Sequence, residues 1–171
     1  MIIGNGDIAK VCKPFDREDT IIFASGLSDS SCVDEKEFER ELKLWSDTLL
    51  KNENKRIIYF STLSIYYGTS RYVGWKKHME RLIKNNHRKY TIIRLGNITW
   101  GNNPHTLINF LRNKIKNNEP YEIQDTFRYL CSLNEFNHWM NLIPDFNTEM
   151  NITGERISVR EIEERIKNKL L

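Results

Sequence analysis

Ser61, Thr62, Tyr72 and Lys76 are the residues of this chain whose types and spacing suit proton transfer. The β-rich apolar run Ile57-Ile58-Tyr59-Phe60 reads as a buried strand, and the two hydroxyl residues sit where it ends. A turn region around Gly68-Thr69-Ser70 follows, and a helix opens at Tyr72. A spacing of four residues puts the phenol of Tyr72 and the ammonium of Lys76 on one helical face. A strand end therefore delivers a hydroxyl, and the next helix delivers a phenol beside a cation.

The elements that must position these groups can be read on either side of them. Ile2-Ile3 reads as the tail of a short strand, and Gly4-Asn5-Gly6-Asp7-Ile8-Ala9 after it has the G-x-G-x-x-A pattern of a strand-to-helix turn. In such a turn the first glycine permits the sharp bend, the second lets a pyrophosphate approach the backbone N–H groups, and the alanine keeps the helix near the sheet. An ordinary glycine turn is the competing reading. Residues 10–19 make a short helix or loop, broken at Pro14. Residues 20–24 form a second apolar strand, ending in Ser25-Gly26-Leu27-Ser28. That end serves equally well as a ligand-facing edge or as a loop leading to Asp34, a good N-cap.

Residues 35–51 are helical in pattern, with Phe38, Leu42, Trp45 and Leu49 on one stripe for core packing and leftover apolar area for a dimer interface. Another strand spans 90–95 and leads into Gly96-Asn97-Ile98-Thr99-Trp100-Gly101. A helix over 105–116 follows, with Leu107, Phe110, Leu111 and Ile115 inward. Short strands are expected at Glu122-Ile123, at 128–130 and at 150–152, and helices at 134–142 and 158–170. Ser158 caps the last helix, with Glu161 completing a capping box. Strands alternating with helices give an α/β, Rossmann-like, doubly wound and mostly parallel sheet with helices on both faces. Ligands of such sheets bind at the carboxyl ends of the strands, the edge on which every polar strand end above falls.

Composition narrows the function classes. A formal charge of +3, with Lys and Arg interspersed among Asp and Glu, forms no basic stripe, so nucleic acid is not an expected partner. Trp45, Trp75, Trp100 and Trp139 more simply fill the core. Cys12, Cys32 and Cys131 are odd in number and widely spaced, which suits reduced thiols and gives no metal-ligand pattern. His78, His87, His105 and His138 also lie in no ligand pattern and take surface or cap roles. With no membrane-length apolar run and no secretory signal, the chain is expected to be cytoplasmic and free of the membrane.

On these residues the chain resembles the extended short-chain dehydrogenase/reductase family, in its NAD-dependent epimerase/dehydratase branch acting on nucleotide sugars. The segment from Gly4 to Ala9 looks like that family's phosphate turn, and Phe23-Ala24-Ser25-Gly26 like the strand end that lies along the cofactor. Phe60-Ser-Thr-Leu-Ser-Ile-Tyr66 is similar to its Ser-Ser/Thr-x-x-Val-Tyr-Gly segment, and Tyr72-x-x-x-Lys76, with Glu80 beyond, to its Tyr-x-x-x-Lys helix. Arg94-x-x-Asn97-x-x-x-Gly101 resembles the strand end that borders the sugar-nucleotide pocket.

The resemblance implies a catalytic set of Thr62, Tyr72 and Lys76, with Tyr72 the acid/base and Thr62 orienting the substrate oxygen. Ionising a phenol near neutral pH costs about 4 kcal/mol, which Lys76 would help offset while holding the cofactor ribose. NAD or NADP would lie against Gly4, Asn5, Gly6, Asp7, Ile8, Ala24, Ser25, Gly26, Ser61, Tyr72, Lys76 and Leu95. The nucleotide-sugar substrate would meet Ser64 and Asn97. The same resemblance implies a homodimer through helices 35–51 and 72–85, and a role in surface polysaccharide synthesis.

The departures from the family are also readable. Several strand–helix units normally separate the phosphate turn from the Phe-Ala-Ser-Gly strand, whereas here only residues 10–19 do. The residue that reads the adenosine ribose normally sits in that piece, which leaves Asp16 and Arg17 as the candidates. The near-absent first strand implies a start further upstream or a partner subunit over that edge. Tyr67 stands where the family has glycine, with Gly68 displaced by one, and Leu63 and Ser64 stand where a dehydratase would carry Asp and Glu. Reduction or epimerisation is therefore expected rather than dehydration. One Rossmann-like domain is expected over residues 1–171, truncated relative to the family, with a small substrate-side region in 102–157. The alternative is a catalytically inactive relative that binds a nucleotide or serves as a scaffold.

Overall fold

The computed structural model describes all 171 residues as strands alternating with helices. In chain order these are β1 (Ile2–Ile3), α1 (Asp7–Val11), a 3₁₀ turn (Lys13–Phe15), β2 (Thr20–Phe23) and α2 (Glu35–Lys51). Next come β3 (Arg56–Thr62), a second 3₁₀ turn (Leu63–Tyr66), α3 (Arg71–Asn86), β4 (Tyr90–Leu95), β5 (Asn97–Ile98) and α4 (Leu107–Lys116). The chain closes with β6 (Phe127–Cys131), α5 (Leu133–Asn141), β7 (Thr148–Ile152), β8 (Glu155–Ser158) and α6 (Val159–Lys167). Five of the helices start where a hydroxyl or carboxylate accepts a hydrogen bond from a first-turn N–H: Asp34, Ser70, Thr106, Ser132 and Ser158.

The main sheet has the order β1-β2-β3-β4-β7 and is parallel throughout. Its strands are continuous apolar runs because both faces are covered. Ile57 and Tyr59 of β3 point to one face, where Trp45 of α2 and Met79 and Ile83 of α3 pack. Ile58 and Phe60 point to the other, against Phe136 and Met140 of α5 and the flank of α1. This is the doubly wound arrangement expected above. A smaller sheet, β5-β6-β8, packs with α4 and α6 around Ile108, Leu111, Ile157 and Ile162, away from both faces.

Four local expectations need correction. The buried stripe of α2 is Phe38, Glu41, Trp45 and Thr48, with Leu42 and Leu49 only half-buried, because an acid with its own partners takes an inward position. In α4 it is Ile108 and Leu111 that turn inward; Leu107 and Ile115 are half-buried, and Phe110 is 43% exposed. Glu122-Ile123 is not a strand, whereas the charged segment Glu155–Ser158 is one, pairing antiparallel with β6 and burying Ile157. His87 caps the carboxyl end of α3 but is only 4% exposed, and its Nε2 accepts a hydrogen bond from Trp45 Nε1 at 3.1 Å. The three cysteines are free, and burial pushes the Cys12 and Cys131 thiols up to about 12. No helix is long and apolar enough to cross a membrane.

His87 makes the fold sensitive to mild acid. Burial pushes its imidazole down to about 4 from an ordinary 6.5, so the unfolded chain takes up this proton first. The stabilisation from neutral His87 is complete above about 6.5 and is lost as pH falls towards about 4. Urea denaturation between pH 7 and pH 5 should show stability falling with pH, and a His87→Gln variant should flatten that slope.

Candidate active site

The carboxyl ends of the parallel strands open into a single cleft of about 1140 Å³, and the sequence-derived site residues gather around it. At the first strand end, Gly4 has φ +123°, and a Cβ there would lie 2.5 Å from the Ala24 carbonyl oxygen. Only glycine lets the turn pass so close over the end of β2. Gly4 therefore shapes the turn without lining the cleft, whereas Asn5, Gly6, Asp7 and Ile8 do line it. A Cβ on Gly6 would meet nothing within 4 Å, so the turn is open on that side. Asp7 is turned aside: its Oδ2 accepts hydrogen bonds from the Asn102 and Asn103 backbone N–H groups, both at 2.9 Å.

Ala24, Ser25 and Gly26 at the end of β2 form the next part of the wall. The Ser25 carbonyl and hydroxyl both accept from Arg40 Nη1, at 3.2 and 3.3 Å, which brings a cation to the cleft that the sequence did not single out. Ser61 and Thr62 close β3. Ser61 Oγ is buried and has no hydrogen-bond partner in the chain. Thr62 Oγ1 accepts from the Ser64 N–H at 3.1 Å, and Thr62 and Tyr72 both line the cleft. Ser64, Leu95 and Asn97 complete the expected set on the cleft wall, Asn97 donating to the Tyr129 carbonyl at 3.4 Å.

Tyr72 and Lys76 share a face of α3 as their spacing required, with Lys76 Nζ 5.8 Å from the centre of the Tyr72 ring. The unforeseen partner is Glu41 on α2, which is fully buried beside Lys76. Lys76 Nζ donates to Glu41 Oε1 at 3.4 Å and to the Tyr59 hydroxyl at 3.0 Å. Glu41 also accepts from the Tyr59 hydroxyl at 2.7 Å, and from Trp75 Nε1 and the Leu27 N–H at 2.8 Å each. Gly26 leaves room for the pair, since a Cβ there would fall 2.7 Å from Lys76 Nζ and 2.8 Å from Glu41 Oε1.

The electrostatics follow from that packing. Burial pushes the Glu41 carboxyl up, but the Lys76 charge and three hydrogen bonds outweigh it and leave the acid below its ordinary range. Burial pulls the Lys76 ammonium down, with Glu41 opposing. The Tyr72 phenol is pushed well up, first by burial and then by the Glu41 charge, while the nearby Thr62 hydroxyl pulls the other way. The expectation that Lys76 would ease ionisation of Tyr72 therefore needs correcting: in the free protein, Glu41 offsets the lysine charge. The signal was present in the sequence, since Glu41 sits three residues after Phe38 and four before Trp45, on the inward stripe.

Two further expectations change. Arg94 turns away from the cleft and forks onto Glu80 of α3, at 3.0 Å from Nε to Oε1 and 2.6 Å from Nη2 to Oε2, with Glu149 and the Tyr66 hydroxyl as further acceptors. It joins β4 to α3 and β7. Asp16 and Arg17 precede β2 at the amino end of the sheet, the Asp16 carboxylate pairing with the amino group of Met1. They cannot read a ribose at the opposite edge.

No protein-family model matches the chain, and no curated protein matches it either. Solved structures do. Over 94% of this chain, at 18% identity and a TM-score of 0.66, it is similar to a UDP-N-acetylglucosamine 4-epimerase from Methanobrevibacter ruminantium in complex with UDP-N-acetylmuramic acid. It is similar over 96% of its length to the Bordetella bronchiseptica enzyme WbmG in complex with NAD and UDP, at 15% identity and a TM-score of 0.68. It is similar over 94% to a dTDP-4-dehydrorhamnose reductase from Bacillus anthracis in complex with NADP, at 17% identity and a TM-score of 0.65. The chain spans 63%, 60% and 65% of those three chains, respectively. It has the Rossmann-like fold of these epimerases and reductases in shortened form.

The Glu41–Lys76 pair should dominate the stability of this region. Glu41→Ala leaves a buried ammonium without its counter-ion and should cost about 3–5 kcal/mol in chemical denaturation. Glu41→Gln, which keeps hydrogen-bonding capacity, should cost less.

Proposed function

We propose that the chain is an NAD- or NADP-dependent oxidoreductase or epimerase acting on a nucleotide-activated sugar, in the synthesis of surface polysaccharide. The observation that carries this reading is the meeting of Thr62, Tyr72 and Lys76 at one strand edge, beside the buried and unpartnered Ser61 hydroxyl. An orphaned hydroxyl on a cleft wall is what a polar ligand group would satisfy. Ser61, Thr62, Tyr72 and Leu95 would hold the nicotinamide end of the cofactor, which would supply hydride exchange.

The chain's own residues would do the rest. Lys76 has three donors, and two of them are taken by Tyr59 and Glu41, which leaves one for a ribose hydroxyl. Thr62 would orient the substrate oxygen, and Tyr72 would exchange the proton with it. Burial and Glu41 raise the Tyr72 phenol, so in the free protein it is protonated and a weaker acid than a free phenol. Ser64 and Asn97 stand on the substrate side of the same cleft.

The second reading is a catalytically silent nucleotide-binding or scaffold protein, favoured by the neutralised lysine and by the short connection ahead of β2. Calorimetric titration with NADH and NADPH, beside turnover of UDP-N-acetylglucosamine and dTDP-4-dehydrorhamnose, separates the two. The enzyme reading expects binding that Gly6→Trp abolishes, and turnover that falls on the order of a hundredfold or more in Tyr72→Phe with binding retained. Cofactor binding without turnover of any activated sugar would support the silent reading, and no binding would end the enzyme reading.

A homodimer through the outward faces of α2 and α3 belongs to the same proposal. Light scattering should return two chains per particle, and an Arg81→Glu change on the exposed face of α3 should shift that mass towards a monomer.

A further inference from the structure

We infer that the cleft recognises only the nicotinamide mononucleotide half of a pyridine dinucleotide and leaves the adenosine half in solvent. The inference rests on the cofactor reading above and deepens it. In a complete dinucleotide fold the strand order is 3-2-1-4-5-6, and the crevice for the two halves lies where that order reverses, beside the first strand. Here the order is β1-β2-β3-β4-β7: α1 and α2 leave β1 and β2 on opposite faces, but β1 is the sheet edge, with no strand beyond it on the adenosine side. The strands that would flank an adenosine are missing from inside the chain: α1 passes directly, through residues 12–19, into the strand hydrogen-bonded to β1.

That connection does not supply a substitute wall. It packs Phe15 against the sheet face and runs down to the amino end of β2. Asp16 is spent on the Met1 amino group, and the Asp19 carboxylate accepts from the Thr20 hydroxyl. At about 3.3 Å per residue, the length of β2 holds these acids roughly 13 Å below the cleft. The acid expected about twenty residues after the glycine turn, which would hold the adenosine ribose, has no counterpart either: Ala24, Ser25 and Gly26 occupy that place. The other half is furnished. Ser61 Oγ lacks a partner, and the Lys76 ammonium has a donor to spare beside Gly26.

The difference between the halves has a direct readout in affinity. The full chain is titrated calorimetrically with NADH, NADPH and reduced nicotinamide mononucleotide, with circular dichroism confirming the fold. Dissociation constants for all three within about tenfold of one another, and no detectable heat from adenosine monophosphate, are expected. A preference greater than tenfold for either dinucleotide over the mononucleotide would overturn the inference while leaving the cofactor reading intact. So would measurable binding of adenosine monophosphate that competes with NADH. If none of the three nicotinamide compounds binds, the cofactor reading itself fails, and this inference fails with it. Asp16→Ala and Arg17→Ala should leave the NADH to NADPH ratio unchanged, since both residues sit at the far end of the sheet.

Discussion

Glu41 and Lys76 are buried together between α2 and α3, and the geometry of the cleft depends on that pair. Two charges withdrawn from water are tolerated only when their remaining hydrogen-bonding capacity is met. Here it is met from four directions: the Tyr59 hydroxyl from the sheet, the Trp75 indole from α3, the Leu27 N–H from the loop after β2, and the ammonium itself. Each contact fixes one element against another, so the pair sets where β2 ends and how α3 presents Tyr72. A Cβ at Gly26 would press on the same pair and displace the ammonium or the carboxylate. The Arg94–Glu80 fork does similar work across the sheet, tying β4 to α3 and to Glu149 of β7.

The sequence made the layers and the edge of the site readable for a simple reason. A parallel sheet buried on both faces must be built from continuous apolar runs, so residues 20–23, 57–60 and 90–93 stand out at once. Helix starts were visible where Asp34 and Ser158 announce themselves as caps. Because all five strands of the main sheet run one way, residues following them converge on one edge without any knowledge of their contacts. That is why Ser61 and Thr62 could be placed on the same edge as the Gly4–Gly6 turn and Ala24–Gly26 from strand order alone, whereas Leu95 came only from the resemblance.

Charge was the harder part. Hydropathy patterning assigns a glutamate to solvent, so Leu42 took the inward position that belongs to Glu41, and the lysine was credited with an effect its neighbour offsets. The same habit hid His87, whose imidazole is held neutral by burial and by the Trp45 indole, and β8, whose single inward residue Ile157 lies among charged ones. Arg94 was misplaced for the opposite reason. The resemblance set it in the strand end that borders a substrate pocket, but in a strand successive side chains alternate faces, and Arg94 points to α3.

A sheet that lacks the strands beyond β1 still needs its cleft walled on the far side, and the structure shows how this is done. The small sheet and its two helices form an apolar cluster of their own, around Ile108, Leu111, Ile157 and Ile162, and they supply Phe110, Arg128 and Val159 to the opposite wall. What ties the two walls together is Asp7. Its carboxylate accepts from the backbone of Asn102 and Asn103, and Gly101, with φ +89°, is confined to glycine because a Cβ would collide with that carboxylate. The first turn of the chain is thereby joined to the loop that leads into α4. The cleft is closed by this cross-chain contact and by the buried pair beneath β2, and neither involves the missing part of the sheet. A fold of this kind can therefore shed the strands beside β1 and keep the floor on which Thr62, Tyr72 and Lys76 meet.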